Sequence, residues 1–468
     1  MHALTADVAV IGGGLSGLAT AVRAGEHGLR AVVLEKLDDE RYVCNSRLTT
    51  GIFHFAFRSL NTEVATLRSA ILEATDHHAR PELVEAITAD LLRAVRWLQS
   101  FGVRFIRSSS AEYQSFILAP PAVPQPARQW RGRGGDVLLP LLEARLVAQR
   151  GQLLRGHRVT RLVMDGTRCA GVEGVALGVP FRVSAGVTVI ADGGFQANLD
   201  ELRAHVSPAP ERLVQRNART GVGDGLAMAA AVGARLTERS KFYGHVISRS
   251  ALENDALWPY PWLDELARGS MLVGADGRRF ADEGEGGVFL ANAIAALRDP
   301  AGCVVIADQD AWDTLGCERP LSPNPYLERL GGTVHRAATI ASLAAQAALP
   351  AAALVDEVER YNQALATDSL AALTPARSTR RFRAWPIRRA PFYAIPAAAG
   401  ITYTMGGIAI DAHARVLDQT DRSIAGLYAV GSCTGGLEGG PRAGYAGGLV
   451  KATTTGLRAG EHIASILK

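Results

Sequence analysis

The chain has 468 residues, 48% hydrophobic and 21% charged, and its 49 glycines exceed the roughly 33 that ordinary usage gives. The apolar fraction excludes a disordered chain, and 21 prolines with no three-residue period exclude a collagen-like one. A net charge of +4, spread without a basic tail, gives no reason to expect nucleic acid or an anionic membrane as partner.

In chain order, Asp7-Val8-Ala9-Val10-Ile11 reads as a strand, the glycines after it lead into an Ala/Leu-rich helix, and Ala31-Val32-Val33-Leu34 completes a strand–helix–strand unit. The first strand starts too close to Met1 to leave room for a signal peptide, and no apolar run reaches about 18 residues, so no membrane span is expected. Helices are predicted over 80–101 and 136–150, and short strands over about 158–175 and 181–191. From 238 to 385 the texture shifts to aromatic and proline-rich patches such as Trp258-Pro259-Tyr260-Pro261-Trp262, with amphipathic helices near 338–366 and an arginine-rich return over 369–389. Glycine-rich strand and turn texture resumes after Pro391-Phe392-Tyr393-Ala394-Ile395, and a helix over 449–467 closes the chain. The predicted fold class is α/β: a discontinuous Rossmann-like domain over 1–237 and 386–468, with an inserted α+β domain over 238–385. Five scattered cysteines without a CxxC spacing fit neither a disulfide framework nor an iron–sulfur, haem or metal site, so a reduced, cytoplasmic setting is expected.

Gly12-Gly13-Gly14-Leu15-Ser16-Gly17 is a GxGxxG lying between a strand and a helix. Gly12 permits the tight turn, Gly14 lets backbone approach a pyrophosphate, Gly17 lets helix pack on strand, and the helix N-terminus faces the phosphates. Glu35, ending the second strand, is placed for ribose hydroxyls. The fingerprint alone leaves NAD, NADP and FAD open, but no second copy occurs, which argues against separate FAD and NAD(P)H domains. Further glycine clusters stand at Ala191-Asp192-Gly193-Gly194-Phe195, Thr220-Gly221-Val222-Gly223-Asp224-Gly225 and Gly431-Ser432-Cys433-Thr434-Gly435-Gly436. Of the 49 glycines, 22 fall in six clusters, at 12–17, 132–135, 193–194, 221–225, 406–407 and 431–448, as expected of backbone shaped around one long ligand.

These segments, with Cys44 to Gly51, Thr404-Met405-Gly406-Gly407-Ile408 and Gly426 to Gly431, resemble in order the FAD-containing flavoproteins of the fumarate reductase/succinate dehydrogenase type. Among them the chain is more similar to tricarballylate and 3-ketosteroid dehydrogenases than to true fumarate reductases. The resemblance covers nearly the whole chain. It implies noncovalent FAD in the discontinuous domain and a capping domain that closes substrate against the flavin. It assigns FAD to Gly12, Gly14, Leu15, Ser16, Gly17, Glu35 and Lys36, and to Asn45, Ser46, Thr49, Thr50 and Gly51. Ala191, Gly193, Gly194, Asp224, Gly431, Gly447, Gly448 and Leu449 complete that set. The attachment is expected to be noncovalent because the Asn45-Ser46-Arg47-Leu48 segment holds no histidine and His54 lies beyond it. Ser432 stands where many relatives have a glutamate.

The same resemblance implies a C–C desaturation next to a carboxylate or carbonyl, or the reverse reduction, by hydride transfer involving flavin N5. The arginine acid of fumarate reductases falls on or near Gly287 here, which favours dehydrogenation, and separately Tyr403 stands in place of a substrate-binding histidine. Arg442 is expected to clamp a substrate carboxylate. Tyr445-Ala446-Gly447 resembles the ketosteroid-dehydrogenase segment that polarises a ketone. His245, at the start of the insert, is expected to face the flavin; Tyr403, Tyr445 and His245 are all candidates for moving the proton. Tyr243, Trp258, Tyr260 and Trp262 either line a substrate pocket or only pack. The expected partner is a small carboxylate or ketone. The alternatives are a fumarate-type reductase, an oxidase using O₂, or a subunit relaying electrons to a separate redox partner.

Overall fold

The computed structural model describes residues 2–108, 111–121, 130–257, 261–318 and 322–467. The strand His2–Ile11 lies between Ala31–Leu34 and Val179–Ile190 and pairs in parallel with both. All four residues of Ala31–Leu34 are buried, as in a strand covered on both faces. The full path runs Arg415–Leu417, Ser423–Ala429, Val179–Ile190, His2–Ile11, Ala31–Leu34, Gln152–Leu154. The region predicted as strand over 158–175 is a hairpin, His157–Asp165 with Arg168–Ala176, added antiparallel to Val179–Ile190 and making eight strands. Helix Leu15–Glu26 connects the first two strands, and the closing helix Gly448–Leu467 packs on it. The predicted α/β class and Rossmann-like unit are therefore present.

Four parallel strands end at Ile11, Leu34, Ile190 and Ala429. Their carboxyl ends share one edge, the position at which open α/β sheets bind ligands. All four glycine-rich or acidic turns read from the sequence leave the sheet there.

A second, six-stranded sheet is organised by Phe392–Thr404. Val214–Gln215 pairs with it in parallel, while Phe242–Ser248, Cys303–Ala307 and His335–Ala337 pair antiparallel. This sheet thus draws two strands from outside the 238–385 segment. Helix Ala351–Ala366 sets Leu354, Val358 and Tyr361 in an apolar cluster with Met271, Val304 and Ile306 of the sheet. The far end of Phe392–Thr404 carries Thr402 and Tyr403 to the carboxyl edge of the first sheet, where both line a common cleft. Trp258 and Tyr260 lie outside the described residues.

Candidate active site

The turn after the first strand depends on Gly12, whose φ of +104° is left-handed and whose absent Cβ would lie 2.7 Å from the Ala191 carbonyl oxygen. Beyond it opens a cleft with an empty volume of about 1840 Å³, counted out to its mouth. A Cβ on Gly14 would meet only Ser46 Oγ, at 3.5 Å, and one on Gly193 only Ser432 Oγ, at 3.7 Å. Both positions line the cleft, so any side chain there would project into it.

Polar groups surround this half of the cleft. Glu35 accepts hydrogen bonds from the backbone N–H of Gly13 and of Leu37, both at 3.0 Å, while burial raises its pKa. Ser46 Oγ accepts from Leu15 N at 3.0 Å, satisfying a first-turn donor of the helix. Asn45 donates to Thr402 O at 3.0 Å and accepts from Ala218 N at 2.9 Å, tying the two sheets together at the cleft. Lys36 Nζ donates to Thr220 O and lies 3.7 Å from Asp224. Asp192 Oδ2 accepts from Gly225 N at 2.7 Å, and burial pushes the carboxyl up to about 6. Asp192 Oδ1 and Gln196 Oε1 are buried cleft-side acceptors with no hydrogen-bond partner among the described residues. Unpaired buried acceptors are costly, so this wall suits a ligand that brings donors.

The opposite wall is aromatic. Tyr243 faces Tyr403 across the strand pair, and a register shift between Tyr243 and Gly244 marks a bulge that re-aims the strand. Tyr243 and His245, two residues apart, share one face. Tyr243 stacks on Tyr445 with ring centroids 3.7 Å apart, and its hydroxyl lies 3.0 Å from His245 Nε2. His245 Nδ1 lies 2.6 Å from Asp264 Oδ2, and the imidazole stacks on Trp262 at 3.8 Å. Burial lowers the His245 pKa, with Asp264 acting against that and Arg216 adding to it. Tyr445 accepts from Gly448 N at 3.0 Å. Tyr403 donates to Glu438 Oε1 at 2.7 Å, and Glu438 Oε2 is held by Lys451 Nζ at 2.9 Å. Burial, and then neighbouring Glu438 or Tyr243, holds both phenols well above the ordinary tyrosine range.

Most residues expected at the cofactor line this one cleft: Gly12, Gly14, Ser16, Glu35 and Lys36 from the first unit, and Asn45, Ser46, Thr49 and Thr50 from the next segment. Ala191, Gly193, Asp224, Gly448 and Leu449 join them. Leu15, Gly17, Gly51, Gly194, Gly431 and Gly447 are not in its lining. Gly17 packs under the turn at Gly12, Gly194 against Thr404, and Gly447 against the His54 carbonyl. Of the four residues expected at the substrate, Tyr403, Tyr445 and His245 converge in the cleft and Arg442 does not. The Arg442 expected as a clamp is not among the residues lining the cleft. Gly439 and Gly444 bridge to close a tight hairpin, Ala443 takes φ +50°, and the Arg442 guanidinium turns to Asp76 and Glu285, 3.8 and 3.7 Å away. Two other arginines line the cleft, Arg158 and Arg216; Arg216 donates to Thr402 Oγ1 at 2.9 Å and lies 5.5 Å from the Trp262 ring.

Asp264, Arg216 and Lys451 were not legible as site residues. Lys451 left one trace, a cation in the otherwise apolar or small start of the closing helix.

Comparison with known proteins places these features in context. Residues 7–447 match the family described as FAD binding domain. The chain is 26% identical over 395 residues to the NADH:acrylate oxidoreductase of Vibrio harveyi, covering 82% of this chain and 37% of that protein. It is 30% identical over 364 residues to the 4-oxocyclohexanecarboxylate 2-dehydrogenase of Sinomonas cyclohexanicum, covering 70% of this chain and 61% of that one. The chain thus spans less than two thirds of the length of these curated relatives. The fold is similar to that of 3-ketosteroid-Δ4-(5α)-dehydrogenase from Rhodococcus jostii RHA1, solved with 4-androstene-3,17-dione, at TM-score 0.74 and 21% identity over 98% of this chain and 97% of that one.

Proposed function

The chain belongs to the FAD-binding flavoproteins of the fumarate reductase/succinate dehydrogenase type, and from that premise we propose that it dehydrogenates a C–C bond next to a ketone. The observation that carries the proposal is the convergence of Tyr243, Tyr403 and Tyr445, with ring centroids 3.7 to 6.1 Å apart, in the wall facing the cofactor half of the cleft. The names of two similar proteins, an oxocyclohexanecarboxylate dehydrogenase and a ketosteroid dehydrogenase, support a keto substrate.

The residues present fit FAD. The cleft runs from the Gly12 turn to Leu449, Gly14 and Gly193 leave the space a side chain would take, and Asp192 and Gln196 offer buried acceptors. The start of helix Leu15–Glu26 suits the pyrophosphate, and Glu35 keeps lone pairs for ribose hydroxyls beside its two backbone bonds. When bound, FAD supplies the two-electron acceptor chemistry.

The chain's own residues handle the carbonyl and the proton. Tyr445 oxygen accepts from Gly448 N and its hydroxyl also bonds the Tyr243 side chain, so a substrate carbonyl oxygen would take the Tyr445 proton by replacing that contact. Burial keeps that phenol protonated at neutral pH, and a fixed donor in a water-poor wall stabilises the charge that develops as the neighbouring C–H proton leaves. Phe57, Tyr113 and Trp262 supply apolar surface for the rest of the substrate, and Arg216 gives a carboxylate on the same molecule a cationic contact. The segment 238–385 acts as the cap, FAD is held noncovalently, and electrons leave through a separate redox partner. Five cysteines without a disulfide among them support a cytoplasmic setting.

Anaerobic mixing of the holoprotein with a panel of cyclic ketones, 4-oxocyclohexanecarboxylate first, and of polycarboxylates lacking a ketone tests the reading. The ketones are expected to bleach the oxidised-flavin band. Bleaching by the polycarboxylates alone would overturn it.

A further inference from the structure

We propose that Asp264 positions His245 so that Nε2 takes the hydroxyl proton of Tyr243, making Tyr243 the base that removes a proton from the carbon next to the substrate carbonyl. This rests on the dehydrogenase reading above. The direction of every hydrogen bond in the chain follows from its last member. A carboxylate only accepts, so Asp264 Oδ2, 2.6 Å from Nδ1, makes Nδ1 the donor and leaves Nε2 as an acceptor. Nε2 lies 3.0 Å from the Tyr243 hydroxyl, which therefore donates to it. Asp264 cannot turn away, because its Oδ1 accepts from Val246 N at 2.7 Å, and Trp262 stacked at 3.8 Å holds the plane of the imidazole. Tyr243 and His245 both line the cleft, and Asp264 is buried behind them.

Gly287 supplies an independent observation. A Cβ built there would lie 2.1 Å from Asp264 Cγ. The carboxylate therefore occupies the space that a side chain at 287 would need. Where the sequence resemblance looked for an arginine that delivers protons, the fold leaves room for an anion that makes its neighbour accept them.

The proton step balances without an added reagent. The substrate C–H bond breaks and its electron pair stays on the substrate as an enolate. The proton bonds to Tyr243 oxygen, and the original Tyr243 proton bonds to Nε2. The imidazolium so formed keeps Nδ1–H on the Asp264 carboxylate. The charged and titratable groups facing His245 are Asp264 from helix Asp264–Gly269, Tyr243 on its own strand, and Arg216 following Val214–Gln215. Tyr445 and Tyr403 stand beyond Tyr243, with Glu438 behind Tyr403. Burial and Arg216 together favour the neutral imidazole, the form able to accept.

Asp264→Asn separates this role from mere packing. Val246 N–H keeps the amide oxygen, so the amide NH₂ faces Nδ1 and the imidazole must carry its hydrogen on Nε2. The holoprotein is followed by deuterium wash-in at the α-carbon of 4-oxocyclohexanecarboxylate in D₂O, and by ¹⁵N NMR of labelled histidine assigned with His245→Asn. Wild type is expected to show Nδ1–H and rapid wash-in. Asp264→Asn should show Nε2–H and wash-in slower by about 10²–10⁴-fold, the usual contribution of a general base, with partial recovery as pH rises. Tyr243→Phe, which keeps the ring against Tyr445, should lose as much with FAD content unchanged. Wash-in at the wild-type rate in both variants, or Nε2–H in wild type, overturns the relay and leaves the dehydrogenase reading standing. Wild type that neither bleaches nor exchanges with any ketone overturns that reading and the relay's role together.

Discussion

His54 shows what the cleft demands of a single side chain. Its ring stacks on Phe57 at 5.0 Å and meets Tyr113 and Tyr445 edge-on, and Nδ1 accepts from Phe57 N at 3.2 Å. Burial lowers its pKa from 6.5 to about 4. Between those values the unfolded chain binds a proton that the folded protein refuses. The stabilising contribution of neutral His54 is therefore complete above pH 6.5 and fades as pH falls toward 4, by about 3 kcal/mol at the lower end. His54→Gln, which keeps an acceptor for Phe57 N, should flatten the fall in urea-unfolding free energy between pH 7 and 4.5. An equally steep fall in the variant would show that other groups carry the acid sensitivity.

Among elements, the closing helix and the strand Phe392–Thr404 are joined through a buried ion pair. Lys451 is 2% exposed and donates to Glu438 Oε2 and to Thr434 O, while Glu438 Oε1 accepts from Tyr403 and from Ala446 N. Removing one member strands the other charge in a site without water, at a cost of about 3–5 kcal/mol. Lys451→Met should accordingly lower the unfolding free energy by that order in denaturant titration; a loss under about 1 kcal/mol would show that the pair does not hold the helix to the strand. This ion pair, like the Asp264–His245 contact, also marks the limit of what the sequence conveyed. The turn from Gly12 to Gly17 and the acid at Glu35 were legible because their backbone geometry restricts the residue type locally. His245 and Asp264, 19 residues apart, meet because helix Asp264–Gly269 begins beside the strand Phe242–Ser248. Arg442 had the expected position in the chain but lies outside the cleft lining, its guanidinium toward Asp76 and Glu285.

For the whole molecule, the division of labour between two sheets bears on how the cofactor is kept. Cleft-lining groups come from segments as distant as Gly12, Arg216 and Leu449, so FAD links parts of the chain that otherwise meet across an open gap. Noncovalent FAD is then expected to leave entirely into the supernatant on acid precipitation, and excess FAD to raise the melting temperature by mass action. A yellow pellet would show a covalent link.

The continuous strand Phe392–Thr404 has a mechanical consequence. At about 3.3 Å per residue its 13 residues form a rod of roughly 40 Å, bonded along its length to the second sheet and ending in Tyr403. Phe242–Ser248, Cys303–Ala307 and His335–Ala337 all pair with this rod, so a movement that carries it with them carries Tyr403 as well. Any displacement of this end of the strand must therefore first release the Tyr403–Glu438 and Thr402–Asn45 bonds.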